Sequence, residues 1–300
     1  MRYVFIFNPA AGKKDPYPVY YPIIKNYCEE QDLPYTCLVT KYPLHAQELA
    51  KNEGAKGDEV RIYGVGGDGT LREIAAGTFG MENVEIGIIP CGSGDDYIRT
   101  FGKKEDFLSV PKQIHAKSRT VDMIRYNDGL ALNLCSIGLD AAVAYNMTKF
   151  KKMPLITGSM AYDLALVKVF LHKIGNELYI TIDGTKQYSG NYLFAVAANG
   201  KYYGGGYCAA PEALPDDGLL DFILIRTPKL RQVPAMVRLY KAGKHYNAKE
   251  FVGMLEHCRG KQMHVIAKAP AVGNFDGDCN YISDVCFEEI PQAARFIVPE

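Results

Sequence analysis

Apolar runs and helical patterns alternate through the first third of the chain. Four runs have the length and apolar content of strands buried on both faces of a parallel sheet: residues 3–7, 35–40, 61–65 and 86–89. Helical spacing of apolar residues follows the first run, at Val19, Ile23, Ile24 and Tyr27, and a second helical pattern covers residues 45–56. Alternating strands and helices predict a doubly wound α/β domain.

The pattern changes after Thr120, where apolar and polar positions begin to alternate. Residues 121–126 and 130–137 form two such stretches, separated by Asn127-Asp128-Gly129, a strong signal for a β-hairpin turn. Further strand patterns cover residues 177–182, 192–198, 221–226 and 263–267, whereas residues 143–173 have a more helical pattern. The second part of the chain is therefore predicted to be rich in β-strands.

A glycine-rich turn joins the third predicted strand to a helical pattern. The turn reads Gly66-Gly67-Asp68-Gly69-Thr70. A strand that enters a helix through glycines can present bare N–H groups to phosphate. Asp68 would repel that phosphate unless a cation lay between them, and Mg²⁺ takes few carboxylates together with substrate phosphates. We expect a Mg²⁺–nucleotide site here, although a dinucleotide fingerprint over residues 64–69 and a plain glycine-rich turn are alternatives.

Three further polar, small-residue stretches follow predicted strands: residues 8–12 (Asn8-Pro9-Ala10-Ala11-Gly12), Thr40, and residues 90–97. In doubly wound sheets, ligands bind beyond the carboxyl ends of the strands. Four such loops at one edge of one sheet support a ligand site more strongly than any one of them.

Composition narrows the classes of protein to which the chain can belong. Lys plus Arg and Asp plus Glu both number 34, so nothing in the global charge favours nucleic acid as a partner. No apolar run reaches the length of a transmembrane helix, and the first residues do not have the pattern of a signal peptide. The eight cysteines include no C-x-x-C pair, which argues against structural zinc and favours free thiols in the cytoplasm.

Taken in order, these motifs resemble the diacylglycerol kinase catalytic family of soluble bacterial lipid kinases, which are related to sphingosine kinases. The matching motifs span residues 1 to about 280 and are Asn8-Pro9-x-x-Gly12, Gly66-Gly67-Asp68-Gly69-Thr70, Pro90-x-Gly92-Ser93-x-Asp95-Asp96, Asn133-x-x-Ser136-x-Gly138-x-Asp140, Ala210-Pro211-x-Ala213-x-x-Asp216-Asp217-Gly218-Leu219-Leu220 and Asp276-Gly277-Asp278.

The resemblance implies an α/β ATP-binding domain over residues 1–125, similar to that of NAD kinases and diacylglycerol kinases. It also implies a β-rich, sandwich-like, lipid-binding domain over residues 126–285 and a tail, 286–300, that returns to the first domain. ATP would be bound by Asn8, Pro9, Gly12, Thr40, Gly66, Gly67, Asp68, Gly69, Thr70, Ser93 and Asp96. Mg²⁺ would be organised by Asp68, Asp96 and Asp217, with Leu214 and Leu219 contributing backbone carbonyls beside Asp217.

Two positions depart from the family pattern. Asp95 stands where the family usually has asparagine, and Asp278 stands where it has glutamate. By position Asp278 is the expected catalytic base, with Asp276 the second candidate.

The resemblance implies transfer of phosphate from ATP to a lipid alcohol, with diacylglycerol the default substrate. The alternatives are an NAD kinase, a dinucleotide-dependent oxidoreductase and a nucleotide-binding protein without kinase activity. The expected location is the cytoplasm, with peripheral contact at the inner membrane surface, where the lipid substrate lies. Lys149, Lys151 and Lys152 alternate with apolar residues and are candidates for that contact. A homodimer is a further possibility.

Overall fold

The computed structural model describes residues 1–138 and 175–300. The predicted helical stretch at 143–173, with Lys149, Lys151 and Lys152, lies outside the described residues, as does Asp140. The chain divides into two compact units. Unit 1 comprises Met1–Met123, Pro215–Asp217 and Ile290–Glu300; unit 2 comprises Ile124–Leu214, as far as it is described, and Gly218–Glu289.

Unit 1 alternates strands and helices in the predicted order. Its elements are β1 (Arg2–Phe7), α1 (Tyr17–Glu30), β2 (Tyr35–Val39), α2 (His45–Gly54), β3 (Val60–Gly66), α3 (Asp68–Gly77), β4 (Val84–Pro90), α4 (Lys104–Leu108), α5 (Val110–His115) and the first part of β5 (Lys117–Tyr126). β1 to β4 form a parallel sheet in the order β2-β1-β3-β4. The carboxyl ends of β1, β3 and β4 therefore meet at one edge.

The end of the chain completes the sheet of unit 1. The last strand, β15 (Asp278–Val298), pairs in parallel with β4 through Phe296 and Ile86. The Phe296 ring is fully buried and packs edge-on against Tyr97, with ring centroids 5.1 Å apart. Because Tyr97 directly follows Asp96, this packing fixes the backbone beside one of the predicted site residues.

Unit 2 is built mainly from antiparallel strands. Its elements, besides the parts of β5 and β15 assigned to it, are β6 (Gly129–Ala131), β7 (Leu134–Gly138), β8 (Asn176–Ile182), β9 (Lys186–Ala198), β10 (Tyr202–Tyr203), β11 (Tyr207–Cys208), β12 (Leu220–Arg226), α6 (Val233–Lys241), β13 (Leu255–Gly260) and β14 (Gln262–Phe275). The long strands β9 and β14 each pair with both β7 and β8. Fully buried side chains such as Ile180, Val265 and Phe287 fill one of its cores.

The fold class predicted from the sequence is confirmed, and the hairpin at Asn127-Asp128-Gly129 is present, with Tyr126 paired antiparallel to Gly129. The prediction of one strand over residues 130–137 was wrong. The chain leaves the sheet at Leu132 and Asn133, between β6 and β7, because their amides donate to the carboxylate of Asp276 rather than to a neighbouring strand.

No helix in the part of the chain that the structure describes is both long enough and apolar enough to span a bilayer.

Candidate active site

The glycine-rich turn between β3 and α3 packs directly on the loop that follows β4. A Cβ added to Gly67 would lie 3.0 Å from the Cα of Gly92, and one added to Gly66 would lie 2.4 Å from Oγ1 of Thr70. Cys91 N–H donates to Gly66 C=O over 2.6 Å. Gly67 is therefore required by the contact between the two loops, and Gly66 by the first turn of the helix.

Gly69 differs from its neighbours. Apart from its chain neighbours and the nearby backbone of its own helix, no atom of the described residues lies within 4 Å of the Cβ position, and its backbone φ is not in the left-handed range. It is an exposed residue in the first turn of α3, whose N-cap residue, Gly67, has no side chain that could cap the helix. Within the described part of the chain, no packing contact requires glycine here. An open, uncapped N-terminal turn provides both the space and the amide groups that an anion needs.

The loop after β1 joins the same edge. Asn8 Nδ2 donates to Thr70 Oγ1 over 3.0 Å, and Asn8 Oδ1 accepts from Ala10 N–H over 3.0 Å. Gly12 has φ of +70°, and a Cβ there would lie 2.2 Å from the carbonyl oxygen of Cys91. Thr40 N–H donates to Phe7 C=O over 2.9 Å. The structure thus brings the four predicted loops together at the carboxyl edge of the sheet, with Pro9 in the first loop and Ser93 exposed in the last.

Asp68 and Asp96 are the acidic centre of this edge. Asp68 Oδ1 accepts from Asp96 N–H over 2.9 Å and from Tyr97 N–H over 3.1 Å. A Cβ at Gly94 would lie 2.9 Å from Asp96 Oδ2 and 3.3 Å from Asp68 Oδ2, so both oxygens approach one point. Burial, together with the nearby charge of Asp96, raises the pKa of Asp68 to about 7.

Asp95, one of the two departures from the family pattern, is buried, and its carboxylate is paired with a lysine. Its Oδ1 accepts from Gly92 N–H over 2.9 Å, and its Oδ2 accepts from Lys104 Nζ over 2.6 Å. Lys104 is the first residue of α4 and was not singled out by the sequence analysis. The sequence feature that could have indicated this ion pair is a lysine nine residues after the unexpected aspartate.

Asp217 belongs to unit 1 through a short segment that lies on β5. Pro215 C=O accepts from Asp122 N–H over 2.7 Å, and Arg119 forms an ion pair with Asp216. Asp122 is buried, and its Oδ1 accepts from Gln292 N–H over 2.8 Å. Sequence reasoning missed Asp122, because an aspartate within an alternating strand pattern is indistinguishable from a solvent-facing one. Leu214 and Leu219 belong to unit 2, and their proposed metal role remains a prediction.

The two candidate bases lie in unit 2, in the turn between β14 and β15. Asp276 has φ of +50° and Gly277 has φ of +98°, as in a two-residue hairpin turn. The Asp276 carboxylate accepts from the amides of Leu132 (2.5 Å), Asn133 (3.0 Å) and Leu134 (2.7 Å). The Asp276 carboxylate is thus held by three backbone amides, whereas Asp278 is exposed.

The donor set fits Mg²⁺ bound together with a phosphate ligand. Among the described residues, no group of three or more His, Cys, Asp and Glu side chains is arranged to hold a metal. Mg²⁺ does not need such a cage, because it takes one or two carboxylates and completes its shell with water and phosphate. The converging oxygens of Asp68 and Asp96, with the raised pKa of Asp68, are the pair that a divalent cation would stabilise.

Comparison with known proteins identifies the family and the fold. The family model of the diacylglycerol kinase catalytic domain matches residues 2–126, and that of the YegS C-terminal NAD kinase beta sandwich-like domain matches residues 133–298. A protein named "Putative lipid kinase" from Staphylococcus epidermidis is 27% identical over 252 residues, covering 82% of this chain and 79% of its own. A relative from Staphylococcus aureus with the same description is 26% identical over 255 residues, covering 84% and 81%.

The solved structures agree at the level of the fold. A crystal structure of a diacylglycerol kinase from Bacillus anthracis superposes with a TM-score of 0.71 at 21% identity, covering 99% of this chain and 96% of that one.

Proposed function

Because this chain belongs to the diacylglycerol kinase catalytic family, we propose that it transfers the γ-phosphate of ATP, in the presence of Mg²⁺, to the hydroxyl of a lipid alcohol. Diacylglycerol is the first substrate to test, with phosphatidic acid as the product. Family membership supports a lipid kinase as the class of enzyme. ATP, Mg²⁺ and the particular alcohol are the finer parts of the proposal.

One observation carries the nucleotide part of this proposal. The open first turn of α3 at Gly69 lies in the same loop system as the converging carboxylates of Asp68 and Asp96. The amides of the turn would bind phosphate oxygens. Asp68 and Asp96 would hold Mg²⁺, which neutralises phosphate charge when bound.

A general base completes the reaction. As the lipid oxygen bonds to the γ-phosphorus, its proton must leave, and the bond from phosphorus to the departing ADP breaks. We assign the proton to Asp278, because the carboxylate of Asp276 already accepts three backbone N–H groups. To act as the base, the Asp278 carboxylate must lie within hydrogen-bond distance of the lipid hydroxyl oxygen, about 2.6–3.2 Å, in the substrate complex.

The function is tested by following the γ-phosphate of labelled ATP into a membrane-lipid extract in mixed micelles, with Mg²⁺ and with Mg²⁺ removed. The expected result is a labelled lipid that co-migrates with phosphatidic acid and is lost in Asp68→Ala. Label in NAD instead of lipid would establish an NAD kinase. ATP binding without transfer to any acceptor would indicate a nucleotide-binding protein without kinase activity.

The base is tested by Asp278→Asn, which keeps the shape of the side chain and removes its basicity. We expect kcat to fall by about 10²–10⁴-fold, the usual contribution of general-base catalysis, with the KM for ATP little changed. Turnover near that of the unmodified enzyme would exclude Asp278 as the base.

A further inference from the structure

One segment of unit 2 is strongly basic, although the chain as a whole carries no net charge. Between Asp221 and Glu250 there is no acidic residue. The same segment contains Arg226, Lys229, Arg231, Arg238, Lys241, Lys244 and Lys249. Such an imbalance produces a local positive potential that the global charge conceals.

The structure turns most of this charge outward. α6 buries Val233, Met236 and Tyr240 on one side. On the other side it exposes Arg238 and Lys241, and Arg231 lies seven residues before Arg238 in the turn that enters the helix. Arg238 and Lys241 are three residues apart in α6 and therefore lie on the same face of the helix. Lys229, Lys244 and Lys249 are also exposed, in the flanking turns.

These charges are not neutralised within the described residues. None of the ion pairs there involves Lys229, Arg231, Arg238, Lys244 or Lys249. The ammonium group of Lys241 lies 5.2 Å from the centroid of the Tyr207 ring, a contact that leaves its charge in place. The positive potential of the segment is thus available to an external anion.

Two large apolar side chains project beside this charge, one within the segment and one in the turn that follows it. Leu230 is 63% exposed and Val252 is 79% exposed. The turn that carries Leu230 contacts the turn that carries Val252. Arg226 N–H donates to Met254 C=O over 2.8 Å, and Gln232 Nε2 donates to Met254 Sδ over 4.0 Å. Lys229 and Arg231 flank Leu230, and Lys249 precedes Val252 in the adjoining turn. Basic residues beside exposed apolar side chains have the composition of surfaces that bind at a membrane interface.

We propose that this surface docks on an anionic lipid bilayer. It consists of Lys229, Leu230, Arg231, Arg238, Lys241, Lys244, Lys249 and Val252, and is called the basic face below. Its cations would lie among anionic headgroups, while Leu230 and Val252 would enter the boundary with the acyl chains. The apolar tips favour a bilayer over nucleic acid, which offers them no apolar phase. The proposed docking does not depend on the function proposed above. Only its use in reaching a membrane substrate rests on that function.

The test is co-sedimentation of the full chain with vesicles of phosphatidylcholine containing about one third phosphatidylglycerol, without ATP. The triple variant Arg231→Gln, Arg238→Gln, Lys241→Gln should bind about a hundredfold more weakly, because each basic residue near such a surface contributes about fivefold. The matched control, Lys51→Gln, Lys186→Gln, Lys261→Gln, removes the same charge from exposed positions outside the basic face and should bind like the unmodified protein.

Two further measurements separate the contribution of charge to vesicle binding from the contribution of the apolar side chains. Vesicles of phosphatidylcholine alone should not bind the protein, and raising salt from about 0.1 to 1 M should weaken binding, because the Debye length falls from about 10 to 3 Å. Leu230→Ser with Val252→Ser should lower the affinity that remains in high salt. Equal binding by the two triple variants would overturn the proposal, as would binding to a DNA oligonucleotide but not to vesicles. These readouts need no phosphotransfer, so a failed kinase assay leaves them interpretable.

Discussion

At the residue scale, the glycines of the candidate active site serve two different purposes. Gly66 and Gly67 are needed because a side chain would strike Thr70 or Gly92. Gly69 has no such neighbour, so its lack of a side chain benefits a ligand rather than the fold. The two cases look identical in the sequence, and only the distances separate them.

Gly69→Ala should therefore separate stability from nucleotide binding. Alanine in a helical position stabilises by about 0.5–1 kcal/mol relative to glycine, so thermal unfolding should be unchanged or slightly improved. The KM for ATP should rise by about tenfold, because the methyl group occupies the space left for phosphate. Gly102→Ala is the control, since its Cβ would only touch the Phe107 ring at 4.0 Å. An unchanged KM in Gly69→Ala would remove this turn from the phosphate site.

Asp95 shows how one substitution was accommodated by another residue. An aspartate in place of the expected asparagine adds a buried negative charge, and Lys104 offsets it at 2.6 Å. The carboxylate still accepts from Gly92 N–H, as an asparagine oxygen would. The pair thereby anchors the loop that carries Ser93 and Asp96.

A double-mutant cycle tests this pairing. Lys104→Met should lower the free energy of unfolding by about 1–3 kcal/mol and raise the KM for ATP, because it leaves the Asp95 carboxylate buried without its cation. Asp95→Asn alone should be mild, since asparagine tolerates the left-handed φ of +49° found there. The double variant should recover most of both losses. Strictly additive effects in denaturant unfolding and in KM would contradict the pairing.

At the scale of elements, the turn between β14 and β15 holds β6 and β7 in place. Asp276 N–H donates to Leu134 C=O over 3.1 Å, and the Asp276 carboxylate receives the three amides at the break between β6 and β7. Asp276 thus fixes the start of β7, while Asp278, at the other side of the turn, is exposed.

Asp276→Asn should consequently be a stability variant. Replacing one acceptor oxygen by an NH₂ group sets donor against donor beside Leu132–Leu134, which should cost about 1–3 kcal/mol or more. Hydrogen exchange at the amides of residues 132–134 should accelerate. Asp278→Asn, the matched variant two residues later, should leave the exchange of these amides unchanged, because the three amides donate to Asp276. Equal destabilisation by the two variants would argue against the anchoring role.

At the scale of the whole molecule, the two units depend on different parts of the chain. Unit 1 is discontinuous and needs Pro215–Asp217 and Ile290–Glu300 to be complete. Unit 2 contains a fully buried histidine, His245, whose Nε2–H donates to Ala209 C=O over 3.0 Å. Its Nδ1 has no hydrogen-bond partner among the described residues. Burial lowers the pKa of His245 to about 4.

This histidine should make the stability of the protein sensitive to acid. The folded pKa lies below the unfolded value of about 6.5, so the unfolded chain binds the proton first. Stability from this group is fully present above about pH 6.5 and is lost as the pH falls towards 4, by about 3 kcal/mol. His245→Gln, which keeps a donor for Ala209, should flatten the dependence of denaturant unfolding on pH in that range. An unchanged slope would exclude His245 as its source.

Much of the fold was determined by local sequence. Buried parallel strands need apolar runs, helices need apolar residues at helical spacing, and a tight hairpin needs residues that accept positive φ, as at Asn127-Asp128-Gly129. These requirements act over a few residues, so β1 to β4, their helices and the loops at the sheet edge were predictable. Motif order indicated the family for the same reason.

Tertiary structure alone decided the pairings between distant residues. Lys104 with Asp95, and Asp276 with the amides of Leu132–Leu134, each depend on which segments meet when the chain closes. The same holds for the basic face, where folding turned Arg238 and Lys241 outward and Tyr240 inward. Propensity and periodicity describe the preference of one segment. A charge is neutralised, or an amide satisfied, by whatever the fold brings beside it.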